Sequence, residues 1–337
     1  MSQPGSQPFW KNKRVLITGA DGFIGSHLTE ALLQAGARVR ALSQYNSFQH
    51  WGWLEEIAPQ EGLEVVAGDV RDMEVCRKLV KDQEMIFHLA ALISIPYSYQ
   101  AANSYLDTNI RGTLHICQVA LDAGGIPVLH TSSSEVYGTA QYVPIDERHP
   151  LQAQSPYSAT KIGADALAMS FYHSYSLPVR IARPFNTYGP RQSTRAIIPS
   201  IITQLASGTQ TLKVGDLRPT RDLVFVRDTC QAMLAIAQSE QTLGEATHIA
   251  TGRETSMQDL LDTIVRLMGR EVVIATDPAR LRPKTSEVFR LCGSPEKLFA
   301  LTGFRPQLSL EEGLKACIAW YQDADHINKF KPHTHHV

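Results

Sequence analysis

The chain has 337 residues, more than the ~150 typical of one domain, so we expect either one large α/β unit with an appended lobe or two domains. Its 32 basic and 33 acidic residues give a formal charge of -1 without a long run of one sign, which argues against nucleic acid or an anionic membrane as a partner. The five cysteines are scattered, which favours reduced thiols over a disulfide framework or a zinc site. No segment has the length of a signal peptide or a membrane span, so we expect a cytoplasmic protein.

The first predicted element follows a polar arm that we expect to be flexible over residues 1–12. Arg14–Thr18 is a short apolar strand, followed by glycines spaced G-x-x-G-x-x-G and then by apolar residues at helical spacing. Glycines in such a turn are ordinary in isolation, but between a strand and a helix they favour binding of a dinucleotide pyrophosphate at the helix N-terminus. The predicted cofactor contacts here are Gly19, Asp21, Gly22, Phe23, Ile24 and Gly25.

The second and third predicted strands cover residues 38–42 and 63–67. NAD-binding units usually offer a carboxylate at the end of the second strand, yet Ser43 stands there, so the sequence leaves NAD or NADP open. Arg40 either meets a 2′-phosphate or simply faces solvent. Asp69, at the end of the third strand, either accepts a hydrogen bond from adenine or caps the next helix. Ser43, Asp69 and Val70 are the predicted cofactor contacts of this part.

A fourth strand is predicted over residues 85–91, and its small residues suit close passage of a cofactor. The loop after it contains Ser94, a predicted substrate contact, and leads into a helix around residues 103–123 that contains Asn109. His88 could suggest a metal, but a single histidine in an apolar strand is typical of a packed core residue, so we predict no metal. The predicted cofactor contacts are Leu89, Ala90, Ala91 and Asn109.

The fifth predicted strand, residues 128–130, delivers the segment TSSSEVYG at the sheet edge where ligands bind in open α/β folds. Downstream, Tyr157 and Lys161 are four residues apart and share one face of a predicted helix. A phenol has a pKa near ~10, and a neighbouring cation would lower it and make Tyr157 a base. Alone, this pair is a common surface pattern, and Glu135 is either catalytic or a helix-start carboxylate. The catalytic candidates are Ser133, Ser134, Glu135, Tyr157 and Lys161, and the last two also contact the cofactor.

The second half of the chain departs from regular strand–helix alternation after residue 191. We expect a strand at 177–182, helices at 196–207, 227–239, 256–268 and 309–321, and strands at 211–214, 247–250 and 271–274. The predicted domains are an NAD(P)-binding unit over 13–190 with a return contribution near 222–250, a mainly substrate-binding lobe over 191–325, and a flexible tail over 326–337.

Eight segments in order link these elements to one superfamily: GADGFIGSHL, GDVRD, FHLAA, TNIRGT, TSSSEVYG, YSATK, RPFNTYGPRQ and TRDLVFV. With them the chain resembles the extended short-chain dehydrogenase/reductases, and within these the nucleotide-sugar 4,6-dehydratases. The segments YNSFQHWGWL, IPYSY, RQSTRAIIPSIITQ and RLRPKTSEVFRL resemble the N-acetylglucosamine 4,6-dehydratases of legionaminic-acid-type pathways. The resemblance implies a Rossmann-type doubly wound parallel sheet with a smaller α/β C-terminal substrate lobe, bound NAD and a homodimer.

The resemblance also implies a mechanism. Tyr157 removes the sugar O4 proton as C4 loses hydride to NAD, with Lys161 lowering the tyrosine pKa and Ser133 bonding the reacting oxygen. Glu135 then takes the C5 proton, water leaves from C6, and the hydride returns to C6. The dTDP-glucose enzymes carry Thr-Asp-Glu where this chain has Ser133, Ser134 and Glu135, so the middle carboxylate is absent here and Glu135 is left to carry the proton from C5 to O6.

The implied substrate is UDP- or GDP-N-acetylglucosamine, and guanidinium groups suit its diphosphate. The predicted substrate contacts are Ser94, Asn186, Arg191, Arg221 and Arg282. Three other functions stay open at this point: decarboxylation of UDP-glucuronate, 4-epimerisation of a nucleotide sugar, and NAD(H) sensing without catalysis. Glu135 argues against an epimerase, which needs no C5 base, and the intact Ser133, Tyr157 and Lys161 argue against a sensor.

Overall fold

Seven strands form one parallel sheet in this computed structural model, which describes residues 9–281, 283 and 285–330. The order across the sheet is β11-β6-β5-β4-β1-β2-β3. The strands in chain order are β1 (Arg14–Thr18), β2 (Arg38–Gln44), β3 (Leu63–Gly68), β4 (Met85–His88), β5 (Val128–Thr131), β6 (Val179–Pro184), β7 (Asn186–Tyr188), β8 (Thr211–Val214), β9 (Thr220–Arg221), β10 (Leu223–Phe225), β11 (Ala246–Ile249), β12 (Thr255–Ser256), β13 (Val273–Thr276) and β14 (Arg290–Leu291).

Helices cover both faces of this sheet, which explains why its central strands are buried along almost their whole length. In β1, Val15 and Ile17 belong to one buried cluster and Leu16 to the other. The helices are α1 (Phe23–Gln34), α2 (Met73–Val80), α3 (Ile95–Ser98), α4 (Ala102–Tyr105), α5 (Gly112–Asp122), α6 (Pro156–Tyr175), α7 (Ile197–Ala206), α8 (Val226–Gln238), α9 (Met257–Met268), α10 (Glu296–Thr302), α11 (Leu310–Gln322) and α12 (Ala324–Ile327). The predicted doubly wound Rossmann-type fold is confirmed.

The strand register brings the carboxyl ends of the central strands to one edge. Thr18 of β1 pairs with His88 of β4, which pairs with His130 of β5, and Thr131 pairs with Ala182 of β6. In an open parallel sheet the crevice outside this edge is where ligands bind. The segments TSSSEVYG and GADGFIG both start at this edge, so their side chains can meet.

A smaller α/β lobe is built from the later strands and helices. Strands β8 and β13 pair in parallel, β9 pairs with β12 and β14, and helices α7, α9 and α11 pack together. The chain returns to the main sheet through β11, which pairs with β6, and through α8, which packs on α1. Among the described residues, none of the helices combines the length and apolar character needed to cross a bilayer.

Both chain ends are packed further than the predicted flexible arm and tail allow. Trp10 is only 4% exposed and its ring lies 5.8 Å from that of Phe87. At the other end, α12 is followed by Phe330, whose ring lies 5.4 Å from that of Tyr321. A large aromatic surface is costly to leave in water, so one aromatic residue at each end anchors a segment of otherwise polar composition.

The burial of Trp10 predicts a measurable loss of stability on truncation. Trp10→Ala should lower the free energy of unfolding by about 3 to 5 kcal/mol, because a buried indole is lost and a cavity is left. Urea unfolding of the purified protein measures this. Phe9→Ala is the matched control, since Phe9 is 47% exposed and should cost less than about 1 kcal/mol. Equal losses from the two variants would contradict the anchoring role of Trp10.

Candidate active site

A cavity of about 790 Å³ lies at the carboxyl edge of the main sheet. It is lined from the glycine turn after β1 to the serine-rich segment after β5 and the start of the C-terminal lobe. Most of the residues predicted from sequence line it: Gly19, Asp21, Gly22, Phe23, Ile24, Gly25, Asp69, Val70, Leu89, Ala90, Ala91, Ser94, Ser133, Ser134, Glu135, Tyr157, Lys161, Asn186 and Arg191.

The glycine turn is shaped for close approach of a ligand to its backbone. Gly19 has φ +68°, and a Cβ there would lie 2.8 Å from the Ala90 nitrogen. A Cβ on Gly25 would lie 2.1 Å from the Gly19 carbonyl oxygen, so α1 contacts the turn through bare backbone. Gly22 provides no side-chain cap for α1, whose first turn contains no acidic residue. The free N–H groups of α1 therefore fit the pyrophosphate of a dinucleotide.

The carboxylate that the end of β2 lacks is supplied by Asp21 of the glycine turn. Its Oδ2 accepts hydrogen bonds from the Gln44 backbone N–H at 2.9 Å and from the Ser43 hydroxyl at 3.2 Å. Ser43 is fully buried and does not line the cavity; its hydroxyl bonds Asp21, and its predicted direct contact with the cofactor stays a prediction. Sequence spacing missed this because the carboxylate comes from a different loop.

Arg40 does not serve a 2′-phosphate in this structure. Its Nε donates to Glu64 at 2.7 Å and its Nη1 to the Leu79 carbonyl at 2.9 Å, away from the cavity lining. The hint of NADP specificity drawn from this residue is therefore wrong. The ion pair between Arg40 of β2 and Glu64 of β3 accounts for an arginine at this strand position.

Asp69 lines the cavity and is held by Arg71, whose Nη2 donates to Oδ2 at 2.6 Å. Burial opposes the charge, but hydrogen bonds from Arg71 keep the pKa of Asp69 below its ordinary value. The helix-capping alternative is wrong, because Asp72 caps α2 by accepting from the backbone of Glu74 at 2.9 Å. Asp69 is thus an ionised acceptor at the end of β3, suited to an adenine amino group.

Asn109 positions a loop of the site without lining the cavity. It sits in a turn of π type, Leu106–Arg111, that joins α4 to α5. Its Oδ1 accepts from Leu92 N at 2.8 Å, and its Nδ2 donates to Leu92 O at 3.1 Å and to Thr160 Oγ1 at 3.0 Å. Asn109 thus fixes the loop after β4 to α6, which carries the Tyr157/Lys161 pair, and its predicted direct contact with the cofactor stays a prediction.

His88 is a core residue, as the sequence analysis expects. Its Nδ1 lies 2.8 Å from Thr18 Oγ1 and its Nε2 lies 3.1 Å from Thr113 Oγ1. Burial lowers its pKa well below the ordinary value, so the ring is neutral. Among the described residues, no group of three or more His, Cys, Asp or Glu side chains is arranged to hold a metal ion.

Tyr157 and Lys161 stand on the first two turns of α6 and face the cavity. Ser155 fixes the start of this helix by a reciprocal capping box with Ser158. Burial raises the pKa of Tyr157 above its ordinary value, and its hydrogen bond with Ser133 works in the opposite direction. The predicted lowering of this pKa by Lys161 stays a prediction.

Lys161 is buried and bonded to the end of β5. Its Nζ donates to the Thr131 carbonyl at 2.5 Å, and burial lowers its pKa to about 8 against the opposing charge of Asp165. Asp165 lies one turn further along α6 and accepts from the Ser132 hydroxyl at 2.6 Å and from Arg183 at 2.8 Å. Asp165 was not predicted from the sequence. Its spacing of four residues from Lys161, which is itself four residues from Tyr157, places all three on one helix face and could have indicated it.

The serine-rich segment presents Glu135 to the same cavity. Ser133 precedes a short helical turn, Ser134–Tyr137, and its Oγ accepts the Glu135 N–H at 3.2 Å. Ser133 therefore caps the start of this turn. The alternative role of Glu135, that of a carboxylate satisfying the helix start, is thus filled by another residue. Ser134 is 3% exposed and brings no carboxylate to the site.

The predicted substrate contacts divide into two groups. Asn186 lines the cavity, and its buried Oδ1 has no hydrogen-bond partner among the described residues. Arg191 also lines it, but its guanidinium is neutralised by Glu30 at 2.9 Å and by Glu56 at 3.4 Å. Two carboxylates already share this guanidinium, and the predicted contact of Arg191 with a diphosphate stays a prediction.

The remaining two arginine predictions are not supported by position. Arg221 is 7% exposed, lies outside the cavity lining and has Glu287 at 3.5 Å, so its predicted substrate contact stays a prediction. Arg282 lies outside the described residues. Sequence reasoning missed Arg195, which lines the cavity, is exposed, and has no carboxylate within 4 Å among the described residues.

Comparison with known proteins places this site in a family. A profile of the GDP-mannose 4,6-dehydratases matches residues 16–317. The chain belongs to this family. It is 31% identical to a dTDP-glucose 4,6-dehydratase of Streptomyces antibioticus over 316 residues, which cover 92% of each protein. Family members are NAD-dependent enzymes that act on nucleotide sugars, which sets aside an NAD(H) sensor without catalysis.

Two solved structures of family members have the same fold. DesIV, a dTDP-glucose 4,6-dehydratase from Streptomyces venezuelae solved with NAD, superposes with a TM-score of 0.85 at 31% identity, covering 95% of this chain and 99% of DesIV. TunA, an NAD-dependent NDP-hexosamine 5,6-dehydratase of tunicamycin biosynthesis, gives 0.82 at 27% identity, covering 94% and 99%. NAD is the cofactor. The glycine turn without side chains fits it, and so does Asp21 of that turn, whose carboxylate is bonded to the end of β2.

Asp21 predicts the discrimination between NAD and NADP. Its carboxylate occupies the donors of Ser43 and Gln44 and would repel a 2′-phosphate placed beside them. Asp21→Asn should therefore raise the affinity for NADP relative to NAD by about tenfold, measured by calorimetric titration of cofactor-free enzyme. Asp82→Asn, on an exposed turn away from the cavity, should leave the ratio unchanged. An unaltered ratio in Asp21→Asn would remove this residue from the discrimination.

Proposed function

We propose that this enzyme is a 4,6-dehydratase of a nucleoside diphosphate N-acetylglucosamine, UDP or GDP, and that it forms the 4-keto-6-deoxy sugar. The observation that carries the proposal is the meeting of Tyr157, Ser133 and Glu135 in one cavity. A C4 oxidation needs one base and loss of the C5 proton needs a second, and these residues are a phenol and a carboxylate placed on different elements. The hexosamine substrate named for TunA supports an amino sugar.

The residues divide the reaction between them as follows. Tyr157 takes the proton of O4 and Ser133 hydrogen-bonds that oxygen while the C4–H bond breaks. Bound NAD supplies reversible storage of the hydride within one turnover. The C4 ketone acidifies the C5–H bond, and Glu135 takes that proton as the C6 hydroxyl departs. Since Ser134 has no acidic group to offer, the proton on Glu135 leaves with the C6 oxygen as water. The stored hydride then returns to C6 while C5 takes a solvent-derived proton, which completes the 4-keto-6-deoxy sugar.

For the diphosphate we propose three further contacts among the described residues, Arg195, Asn186 and Ser94. Arg195 is exposed on the cavity wall, and its Nε donates only to Ser193 Oγ at 3.3 Å among the described residues. Asn186 also lines the cavity, where its side-chain NH2 can donate to a phosphate oxygen, and Ser94 lines the wall formed by the loop after β4. A fork of donors on a flexible arginine matches phosphate oxygens, so we assign the diphosphate to these residues.

Decarboxylation of UDP-glucuronate and 4-epimerisation are the competing functions. A decarboxylase needs a cation for the C6 carboxylate, and Arg195 is placed to provide one. An epimerase needs a base at O4 and no base at C5, so Glu135 in the cavity disfavours it. These reactions differ in the fate of C6, which makes them separable in one experiment.

Proton NMR in deuterated water tests the proposal directly. The purified enzyme is incubated with UDP-N-acetylglucosamine, GDP-N-acetylglucosamine or UDP-glucuronate. We expect a new C6 methyl signal with deuterium at C5 from one of the two N-acetylglucosamine nucleotides, because Glu135 exchanges its proton with solvent. Carbon dioxide from UDP-glucuronate without any methyl product would establish the decarboxylase, and a C4 epimer of unchanged C6 would establish the epimerase.

Glu135 predicts a separation of the two chemical stages. Glu135→Gln keeps the side-chain size but removes the base, so bound NAD should still become reduced when the sugar is added. Formation of the methyl product should slow by roughly a hundredfold or more. Stopped-flow absorbance of reduced nicotinamide and NMR of the product measure the two stages. Glu64→Gln, an exposed position on β3, is the control. Equal methyl formation in wild type and Glu135→Gln would exclude this residue as the C5 base.

A further inference from the structure

The segment between β2 and β3 is seated directly on the glycine turn. Trp53 N donates to the Asp21 carbonyl at 3.0 Å. Gly52 has φ +54°, and a Cβ there would lie 2.6 Å from the same oxygen. Only glycine allows this contact without displacing the turn. The position of the Trp53 ring is therefore fixed relative to the part of the cavity that fits the pyrophosphate and adenosine.

The C-terminal segment, residues 324–330, covers this tryptophan. The Phe330 ring lies 6.2 Å from that of Trp53, and the Trp320 ring of α11 lies 5.4 Å from it. Trp320 in turn stacks on His326 at 4.1 Å. Both Trp53 and Phe330 line the main cavity together with Asp21 and Gly22, although 277 positions of sequence (53 to 330) separate them.

Charged contacts tie the same segment down. Lys329 Nζ lies 2.6 Å from Glu56 Oε1, and His326 Nε2 lies 3.8 Å from the same oxygen. Glu56 also faces Arg191 at 3.4 Å, and Arg191 pairs with Glu30 of α1. Four parts of the chain thus converge beside the glycine turn: α1, the segment after β2, the segment after β7 and the C-terminal segment.

The position of Trp53 along the sheet indicates which part of a bound dinucleotide it faces. Trp53 follows β2, on the β1-β2-β3 side, where a dinucleotide places its adenosine half. Tyr157 and Ser133 belong to the β5 side, where the nicotinamide and sugar meet. An aromatic wall at the first position can contact ribose and adenine without touching the reacting atoms.

We propose that Trp53 and Phe330 form a cofactor-binding wall against the adenosine half of NAD, and that the C-terminal segment retains NAD between turnovers. The need for retention rests on the proposed function, because a dehydratase recovers NAD in every cycle and gains nothing from releasing it. Retention also explains why a chain end of mostly polar residues contributes an aromatic ring to the cavity. The competing role for this ring is to fill space beneath α11.

Release of NAD from the intact enzyme, without any sugar, tests the wall. Phe330→Ala is loaded with NAD, separated from free cofactor by rapid gel filtration, and diluted into a second dehydrogenase that traps released NAD. We expect release to be roughly tenfold faster than in the wild type, since an aromatic contact with the ligand is lost. Phe299→Ala is the matched control, because Phe299 is 43% exposed and packs on Arg305 outside the cavity lining.

A second variant guards against a general effect on folding. Lys329→Ala removes the contact with Glu56 at a residue that does not line the cavity, and it should also accelerate NAD release while the melting temperature of the cofactor-free enzyme stays as in the wild type. Wild-type release rates in both variants, or equal acceleration in Phe299→Ala, would overturn the proposal. Because no sugar is present, this result is independent of whether the enzyme dehydrates N-acetylglucosamine nucleotides.

Discussion

The buried carboxylate of Asp165 is the interaction on which the catalytic geometry depends. It receives the hydroxyl of Ser132 at 2.6 Å and the guanidinium of Arg183 at 2.8 Å, while Lys161 lies one helical turn away. Burying an ion is costly unless its partners are well placed, and here they come from β5, β6 and α6. The serine-rich segment and the Tyr157/Lys161 helix are therefore held in one fixed relation, which is what a reaction between two bases requires.

The same network explains the electrostatic state of the two central residues. Lys161 keeps a pKa of about 8 in spite of full burial, because the negative charge of Asp165 opposes the cost of desolvation. For Tyr157 the hydrogen bond with Ser133 only partly opposes burial, and its pKa lies above the ordinary value. At neutral pH the phenol thus carries its proton, and it can take the O4 proton only after losing its own, a loss that positive charge beside the ring favours. Proton transfer is consequently coupled to a fully assembled site rather than available in the free enzyme.

Local sequence patterns were enough to predict the fold. The hydrogen-bond and ion-pair partners of residues far apart in the chain could not be predicted from the sequence. The strands of the sheet were predictable because apolar runs alternate with glycine turns and helical periodicity, and the cavity-lining glycines follow from that alternation. The ion-pair partners of Arg191 and Arg221 could not be predicted because the sequence around a guanidinium gives no sign of its partner; Glu30 lies 161 positions from Arg191 in sequence. Asp21 is the opposite case, since a carboxylate in the glycine turn performs what was sought at the end of β2.

The charged side chains that line the cavity bear on how a substrate is selected. Three cationic side chains line it among the described residues: Lys161, Arg191 and Arg195. Lys161 is committed to the Thr131 carbonyl, and Arg191 is held by two carboxylates. Of the described cationic side chains on the wall, Arg195 is the exposed one, so it is the adaptable guanidinium that this part of the chain offers to a diphosphate. Neutral donors such as the Asn186 amide add contacts that depend on shape more than on charge.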